Sequence, residues 1–411
     1  LSSNEIIVSL DIGTSRVRAI IGEISNGSIN IIGVGTVDSE GIRRGSIVDI
    51  EQTVQSIRGA IEQAERMVGI HISEVYVGIS GNHIQLHGSH GVVAVSNEDR
   101  EIGIEDIDRV LQAAKVIAMP PEREIIDIVP RQYVVDGLDG IQDPRGMIGV
   151  RLEVDASIVT GSRTAVHNLI RCVERAELKV AGLILMPLAA SQLVLTKDER
   201  AMSTALVDIG AGTTTISLFD SGHLTGTATL PIGGEHITND ISIGLRTQSD
   251  LAEKIKLKYG CAMIDLADPE QAFKVSRLGT NIEKQFSQSD LANIVEPRVQ
   301  EIFQLVQAEV NRMSNGAFNG VYVLYGGTVN LPGLQELARR ELDTAVRIAS
   351  PDYIGVRDPA YTNGVGIIHY VYKHLRGRGG GGAGKHGTRR KAAGQAPGLF
   401  ERIKNFLKEF I

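Results

Sequence analysis

The sequence predicts an α/β chain of two lobes built on an internally duplicated core, with a small α+β insert between the copies and an amphipathic helix at the C-terminus. Three observations carry that prediction. A strand, an Asp-x-Gly turn and a returning strand occur twice about half a chain apart, around Asp11-Ile12-Gly13-Thr14-Ser15 and Asp208-Ile209-Gly210-Ala211-Gly212-Thr213-Thr214. Self-similarity at that distance marks a repeated domain, not a short solenoid repeat. The stretch between the copies changes texture, with strand-like runs, one helix and the pair Pro120-Pro121. Finally, residues 397–411 gather apolar side chains on one helical face, after a basic stretch rich in glycine.

The elements follow in order. Ile6-Ile7-Val8-Ser9-Leu10 is an apolar run of strand length, and residues 17–24 form a second across the Gly/Ser/Thr turn. Residues 29–37 supply a third strand. Apolar residues at helical spacing, among them Val54, Ile57, Ile61 and Met67, predict an amphipathic helix over 50–67. In the insert, Val92-Val93-Ala94-Val95 and Tyr133-Val134-Val135 read as strands and 104–118 as a helix. The second copy runs from Ala205-Leu206-Val207 through its turn to Ile216-Ser217-Leu218-Phe219, then through Asp220-Ser221-Gly222 to a strand over 223–230. Residues 240–310 read as mostly helical and polar. Val321-Tyr322-Val323-Leu324-Tyr325 is a buried strand ending on Gly326-Gly327-Thr328. Residues 376–398 hold a glycine run, six basic residues and no apolar period, which is the composition of a flexible linker.

Composition bounds the function. A chain of 411 residues implies two or three domains, and the absence of Trp makes the core aliphatic. Cys172 and Cys261 are the only cysteines, and neither they nor the scattered His adopt metal-ligand spacings, so neither a disulfide framework nor a zinc site is expected. No stretch approaches the roughly 20 apolar residues of a membrane span, and residues 1–5 lack the pattern of a secretory signal. From Lys373 onward ten basic residues face only Glu401 and Glu409, so the tail carries +8 and the body −15 of the net −7. A basic tail selects an anionic partner. Lipid fits; nucleic acid is not expected, because the acidic body would repel a polyanion.

The two turns carry the chemistry. Small residues in a hairpin let backbone N–H groups converge on an anion. An Asp at the end of the preceding strand would repel phosphate unless it holds Mg²⁺, directly or through water. Two such hairpins facing each other would clamp a β/γ-phosphate from both sides. The sequence contains no Gly-x-x-x-x-Gly-Lys-[Ser/Thr] loop, and the glycines near Gly33 and Gly35 do not make a Gly-x-Gly-x-x-Gly turn.

In their order, the two Asp-x-Gly turns and Gly326-Gly327-Thr328 resemble the phosphate 1, phosphate 2 and adenosine motifs of the actin/Hsp70 ATPase superfamily. Gly233-Gly234-Glu235-His236-Ile237-Thr238-Asn239-Asp240, Ala252-Glu253-Lys254-Ile255-Lys256 and Met186-Pro187-Leu188-Ala189-Ala190-Ser191 extend the resemblance, over nearly the whole chain, to the FtsA family of bacterial cell-division actin homologues. The resemblance implies an actin-like two-lobed fold with duplicated ribonuclease-H-like cores. Residues 1–81 and 161–202 would form subdomain 1A, interrupted by the inserted subdomain 1C at 82–160. Residues 203–240 and 298–358 would form 2A around a helical 2B at 241–297, with 359–375 returning to 1A. A flexible basic linker at 376–396 and a membrane-binding helix at 397–411 would follow.

The resemblance also implies roles. Gly13, Thr14 and Ser15 would line one side of the phosphates of ATP, and Gly210, Gly212, Thr213 and Thr214 the other, with Arg18 where many actin-like proteins place a phosphate-contacting Lys. Asp11 and Asp208 would organise Mg²⁺. Glu253 would meet the ribose hydroxyls, Lys256 would pack near adenine, and Gly234, Gly326 and Gly327 would complete the nucleotide site. Hydrolytic relatives commonly start the first interlobe connection with Gln or Glu, whereas here that place holds Met186. Nucleotide binding with weak or no hydrolysis, and no catalytic residue, is therefore expected. The implied partners are the C-terminal peptide of the tubulin-like protein FtsZ at 241–297, with Arg298 at the edge of its site, and further copies of the chain in a filament or oligomer. Other division proteins would meet the 82–160 insert, and the place would be the cytoplasmic face of the bacterial membrane at the division site. A pilus or secretion assembly protein and, less well, a small-molecule kinase are the rival readings; nothing in the sequence marks the base that a kinase needs.

The tail supplies the membrane expectation without the resemblance. Leu399, Phe400, Ile403, Phe406, Leu407, Phe410 and Ile411 share one helical face, and Arg402, Lys404 and Lys408 lie on or beside the other. A basic helix of about 21 Å with such a face suits the bilayer interface.

Overall fold

The computed structural model describes residues 5–276 and 283–379; the tail helix and most of the linker lie outside the described residues. The first lobe is a five-stranded sheet. Its first three strands, β1 (Glu5–Ile12), β2 (Arg16–Ser25) and β3 (Ser28–Asp38), form an antiparallel meander, and β6 (Glu74–Ile79) and β11 (Lys179–Leu185) add in parallel, in the order β11-β6-β1-β2-β3. The second lobe repeats this topology. There β12 (Thr204–Ile209), β13 (Thr214–Asp220) and β14 (His223–Leu230) form the meander, and β17 (Val321–Tyr325) and β18 (Val346–Ile348) the parallel extension, in the order β14-β13-β12-β17-β18. The duplication seen in the turns is thus a duplication of whole sheets.

Helices cover the sheets where the apolar period demands it. Helix α1 (Ile50–Val68) is capped by Asp49, whose carboxylate accepts from the Gln52 N–H at 3.0 Å, and ends at Gly69 with φ +75°. Its Val54, Ile57 and Ile61 are buried on the first sheet. The packing is close enough that a Cβ on Gly35 of β3 would lie 1.8 Å from the Ala60 carbonyl oxygen, so glycine is required there to let backbone meet backbone. A two-stranded hairpin, β4 (Ile42–Arg43) and β5 (Ser46–Ile47), precedes α1. Helix α3 (Arg163–Arg175) leads into β11, and α4 (Met186–Val194) and the short α5 (Lys197–Ala201) cross to the second lobe.

Between β6 and α3 lies the insert. Strands β7 (Gln85–Ala94), β8 (Arg123–Val135), β9 (Leu138–Ile141) and β10 (Arg151–Ser162) form a separate sheet in the order β7-β10-β8-β9, packed on α2 (Ile104–Ala114). It has its own core of Ile102, Val110, Tyr133, Leu152 and Val154. The helix stops short of the predicted 118, because at Lys115 the backbone N–H turns to the Gln112 carbonyl in a tighter bond.

In the second lobe α6 (Gly234–Leu245), α7 (Ser249–Tyr259) and α8 (Gln288–Met313) surround a hairpin, β15 (Ala272–Ser276) and β16 (Glu283–Ser287). The stretch 240–310 is mostly helical as expected, and the hairpin is an addition the sequence reading did not include. Phe273 and Val275 of β15 are buried while Ala272, Lys274 and Ser276 are exposed, a period of two inside a polar stretch, and Phe286 of β16 joins them in the core. Helix α9 (Leu334–Leu342) joins β17 to β18, and α10 (Thr362–Gly379) returns to pack on α4 and β1. Because α10 is helical to Gly379, it runs past the predicted start of the linker at Arg376.

Candidate functional site

The two Asp-x-Gly turns have the same geometry. Gly13 N–H donates to the Arg16 carbonyl at 3.0 Å, and Gly210 N–H to the Thr213 carbonyl at 2.9 Å. Each turn closes a β-hairpin in which Asp11 stands opposite Arg18 and Asp208 opposite Thr215. The turns face one another across the lobes. A Cβ on Gly212 would lie 2.8 Å from Thr14 Oγ1, and that hydroxyl accepts from the Gly45 N–H at 3.2 Å. The small β4–β5 hairpin therefore closes over the first turn, a contact that no sequence motif announced.

The third glycine turn abuts the second. Gly326 has φ +100°, and a Cβ there would lie 2.4 Å from Asp208 Oδ1, so only glycine fits. Thr328 Oγ1 donates to the Gly210 carbonyl at 2.9 Å. The start of α6 is tied to the same loop, with Gly234 N–H on the Gly210 carbonyl at 3.0 Å and Glu235 N–H on the Ala211 carbonyl at 2.8 Å. Lys256, 11% exposed at its side chain, donates to the Gly234 carbonyl at 3.0 Å and to Thr238 Oγ1 at 2.8 Å, and pairs with Glu253 at 2.7 Å. Glu253 and Lys256 thus form one charged platform at the mouth of α6.

These pieces enclose an interlobe cleft of about 670 Å³. Asp11, Arg18 and Asp208 meet on its floor, and burial pushes the Asp11 carboxyl above its usual range against the pull of Arg18. Asp208 is pushed up to about 7 by lack of solvent and by Asp11, against the opposing hydrogen bond from Asn363 Nδ2 at 2.9 Å. Burial and both carboxylates hold the nearby Tyr325 hydroxyl well above the usual phenol range. Arg18 lies over the Tyr361 ring at 5.4 Å, and its Nε has no partner among the described residues. Two carboxylates this close and this dry are a site short of positive charge.

Comparison with known proteins decides the family. The chain is 50% identical to the cell division protein FtsA of Bacillus subtilis (strain 168) over 92% of its own length and 86% of that protein. Against cell division protein FtsA of Escherichia coli (strain K12) it is 35% identical over 92% and 93%. The chain belongs to the FtsA family of cell-division proteins. The family model for cell division protein FtsA matches residues 205–366, and that for the SHS2 domain inserted in FtsA matches 81–160. The fold is actin-like, as solved structures at low identity agree. A PilM–PilN type IV pilus biogenesis complex superposes with TM-score 0.62 at 15% identity, over 89% of this chain and 98% of that one. MreB5 of Spiroplasma citri bound to ADP gives 0.56 at 13%, over 92% and 99%. At those identities the likeness shows the fold alone, so the pilus protein shares this FtsA-family chain's architecture and nothing more is inferred from it.

Of the residues singled out from the sequence of this FtsA-family chain, Asp11, Gly13, Thr14, Ser15, Arg18, Asp208, Gly210, Thr213, Gly234, Glu253, Lys256, Gly326 and Gly327 all line the cleft. Gly212 sits against Thr14 where the two turns touch. Thr214 does not face the cleft: it is fully buried, and its hydroxyl donates to the Ile232 carbonyl at 2.8 Å. Met186 lies at the cleft wall, nearly buried at the head of α4. Arg298 is remote from the cleft, on α8. Its guanidinium binds Asp240 of α6 through Nε at 2.5 Å and Nη2 at 3.1 Å, and also meets Glu301. Leu399, Phe400, Ile403, Phe406, Leu407, Phe410 and Ile411 lie outside the described residues. Sequence reasoning missed Gly45 and Asn363, which the fold brings to the cleft from places with no local motif; Thr328 stood in the third glycine motif but was given no role.

Proposed function

We propose that this chain binds ATP with Mg²⁺ in the interlobe cleft, self-associates on the cytoplasmic face of the membrane and anchors FtsZ there. The observation that carries the reading is the pair of superposable glycine hairpins, facing each other over two carboxylates in a chain of the FtsA family. The small residues of both turns let backbone N–H groups come close to phosphate oxygens. Asp11 and Asp208 supply the oxygen ligands that Mg²⁺ takes alongside phosphates and water, and a bound cation removes the electrostatic cost of their neighbourhood. Glu253 and Lys256 stand where a ribose and base would leave the phosphates, and Gly326 and Gly327 allow close approach. Met186 has no group that can orient water, so hydrolysis is slow or absent.

FtsZ recruitment is placed in the helical region 241–297 and at Arg298. The anchor is the basic amphipathic helix 397–411. The 82–160 insert, with its own core and sheet, is the surface for self-association or for other division proteins. Liposome co-sedimentation of the full chain with anionic vesicles and a labelled FtsZ C-terminal peptide tests the whole reading. Peptide should sediment only when protein and vesicles are both present, and more of it with Mg·ATP than without nucleotide. Peptide that stays in the supernatant with vesicle-bound protein contradicts the anchoring role.

A further inference from the structure

The cleft floor contains one side chain whose chemistry the motifs leave unexplained. Asn363 stands in the first turn of α10, where the chain crosses back to the first lobe, yet its partner belongs to the second lobe. Its side-chain amide donates from Nδ2 to Asp208 Oδ2 at 2.9 Å. Asn363 is 9% exposed, and its Oδ1 is buried without a partner among the described residues. The orientation follows from chemistry: to hold a cation Asp208 must be ionised, and an ionised carboxylate only accepts, so the NH₂ group faces Asp208 and the amide oxygen faces away. Asn363 lines the cleft, so that oxygen belongs to a residue on the cleft surface. Of the other buried unpartnered polar atoms, Arg18 Nε and His83 Nε2 also belong to cleft-lining residues and are nitrogens, whereas Ser9 Oγ and Thr362 Oγ1 belong to residues that do not line it.

A buried acceptor without a donor costs stability, so its place next to the Asp pair calls for a ligand that donates. Phosphate oxygens at neutral pH are acceptors and cannot satisfy it. Water bound to a divalent cation is a strong donor, and groups that orient metal ligands also bond to the metal's waters. We propose that Asn363 is a positioning residue for the cation: its amide nitrogen fixes Asp208, and its amide oxygen receives a hydrogen bond from the hydrated Mg²⁺. This rests on the nucleotide reading given above. The neighbours are arranged to hold the amide still. The segment before it is tied to the second lobe, through Gly326 N–H on the Pro359 carbonyl at 3.3 Å and Asn330 Nδ2 on Asp358 Oδ1 at 2.9 Å. A Cβ on the next residue, Gly364, would sit 2.6 Å from Ile20 Cδ1, so the turn lies flat against β2.

The test is calorimetric titration of ADP into the full chain across a series of free Mg²⁺ concentrations, with EDTA as the zero point. For the wild type, affinity should rise with Mg²⁺ to a plateau. In Asn363→Leu, which keeps the shape and removes both polar groups, the Mg²⁺ concentration at half-effect should rise about tenfold or more, the usual consequence of losing such a partner. Asn363→Gln, which keeps both the amide N–H and the amide oxygen, should return it toward the wild-type value. A structural role alone would weaken ADP equally with Mg²⁺ and with EDTA, leaving the half-effect concentration unchanged; that result overturns the proposal, as does Asn363→Gln behaving like Asn363→Leu. Should Asn363→Leu not fold, Asn363→Ala, which also removes both polar groups, takes its place under the same expectation. The failures are distinguishable: wild type that binds no ADP removes the nucleotide reading itself, whereas wild type with normal Mg²⁺ dependence beside an unaltered variant removes only Asn363.

Discussion

Asp208 is the residue on which the cleft's electrostatics turn. Its carboxyl is raised from the ordinary value to about 7 in the absence of a cation, chiefly by desolvation and then by Asp11. A raised carboxyl favours the neutral form, so its contribution to stability is full below about pH 4 and is lost as pH rises through about 7. The nucleotide-free protein should therefore lose stability between pH 5 and pH 8, and Asp208→Asn, which cannot ionise, should lose less. The gap at pH 8 should be roughly 2–4 kcal/mol and should close toward pH 5. Urea denaturation at both pH values checks it; parallel behaviour of the two proteins would show that Asp208 is not strained. Gly212 gives a second test. A Cβ there enters the 2.8 Å space to Thr14 Oγ1, wedging the two turns apart across the lobes. Gly212→Val should cut ATP affinity at least tenfold while moving the melting temperature little, because the wedge falls between lobes and not inside a core; unchanged affinity by calorimetry would deny that the turns act together. Residues of this kind were legible where a motif is contiguous: Asp11 and Gly13, or Asp208 and Gly210, lie two positions apart. Asn363 was not, since its partner is 155 residues away and nothing local marks it.

At the scale of elements, α6 and α8 are joined by the Arg298–Asp240 pair, with side chains 26% and 24% exposed. Arg298 was singled out as a contact for a partner peptide, and its guanidinium is already engaged. Arg298→Glu would place its carboxylate beside Asp240 and Glu301 and should cost about 1–3 kcal/mol in denaturant unfolding. Weakened peptide binding by that variant alone would therefore be ambiguous. Asp240→Arg combined with Arg298→Glu restores an ion pair. If the double variant recovers stability but still binds FtsZ peptide poorly in fluorescence anisotropy, Arg298 touches the peptide; if binding also recovers, Arg298 only supports the helices. Element prediction succeeded where one period ran unbroken, as in α1, expected over 50–67 and found at Ile50–Val68. It failed where short elements sat in polar sequence. The β15–β16 hairpin hides two inward Phe residues among charges, and the central strand of the insert, β10, alternates Leu152, Val154 and Ala156 with Glu153, Asp155 and Ser157. That alternation was an available signal.

For the whole molecule, two lobes of one topology were readable because each copy carries the same turn at the same place in its sheet. That the turns face each other was expected from their motifs, but the contacts that bring them together, Gly212 with Thr14 and Asn363 with Asp208, join distant parts of the chain and were not readable. Membrane attachment is proposed for the whole chain from its sequence. Burying a large apolar side chain fully is worth about 1.5–3 kcal/mol, an interfacial helix buries each in part, and each basic residue adds about 1 kcal/mol near anionic lipid. Phe406→Glu should release the protein from vesicles of any charge, whereas reversing Lys404 and Lys408 should weaken flotation mainly on anionic vesicles at low salt. Flotation of Phe406→Glu with neutral vesicles would remove the tail as anchor. The central claim, that both lobes grip one nucleotide, is tested most directly by hydrogen–deuterium exchange of the full chain with and without Mg·ATP. Peptides covering Gly13–Ser15, Gly210–Thr213 and Gly326–Gly327 should all gain protection together. Protection of one turn without the others, or of none, would contradict it.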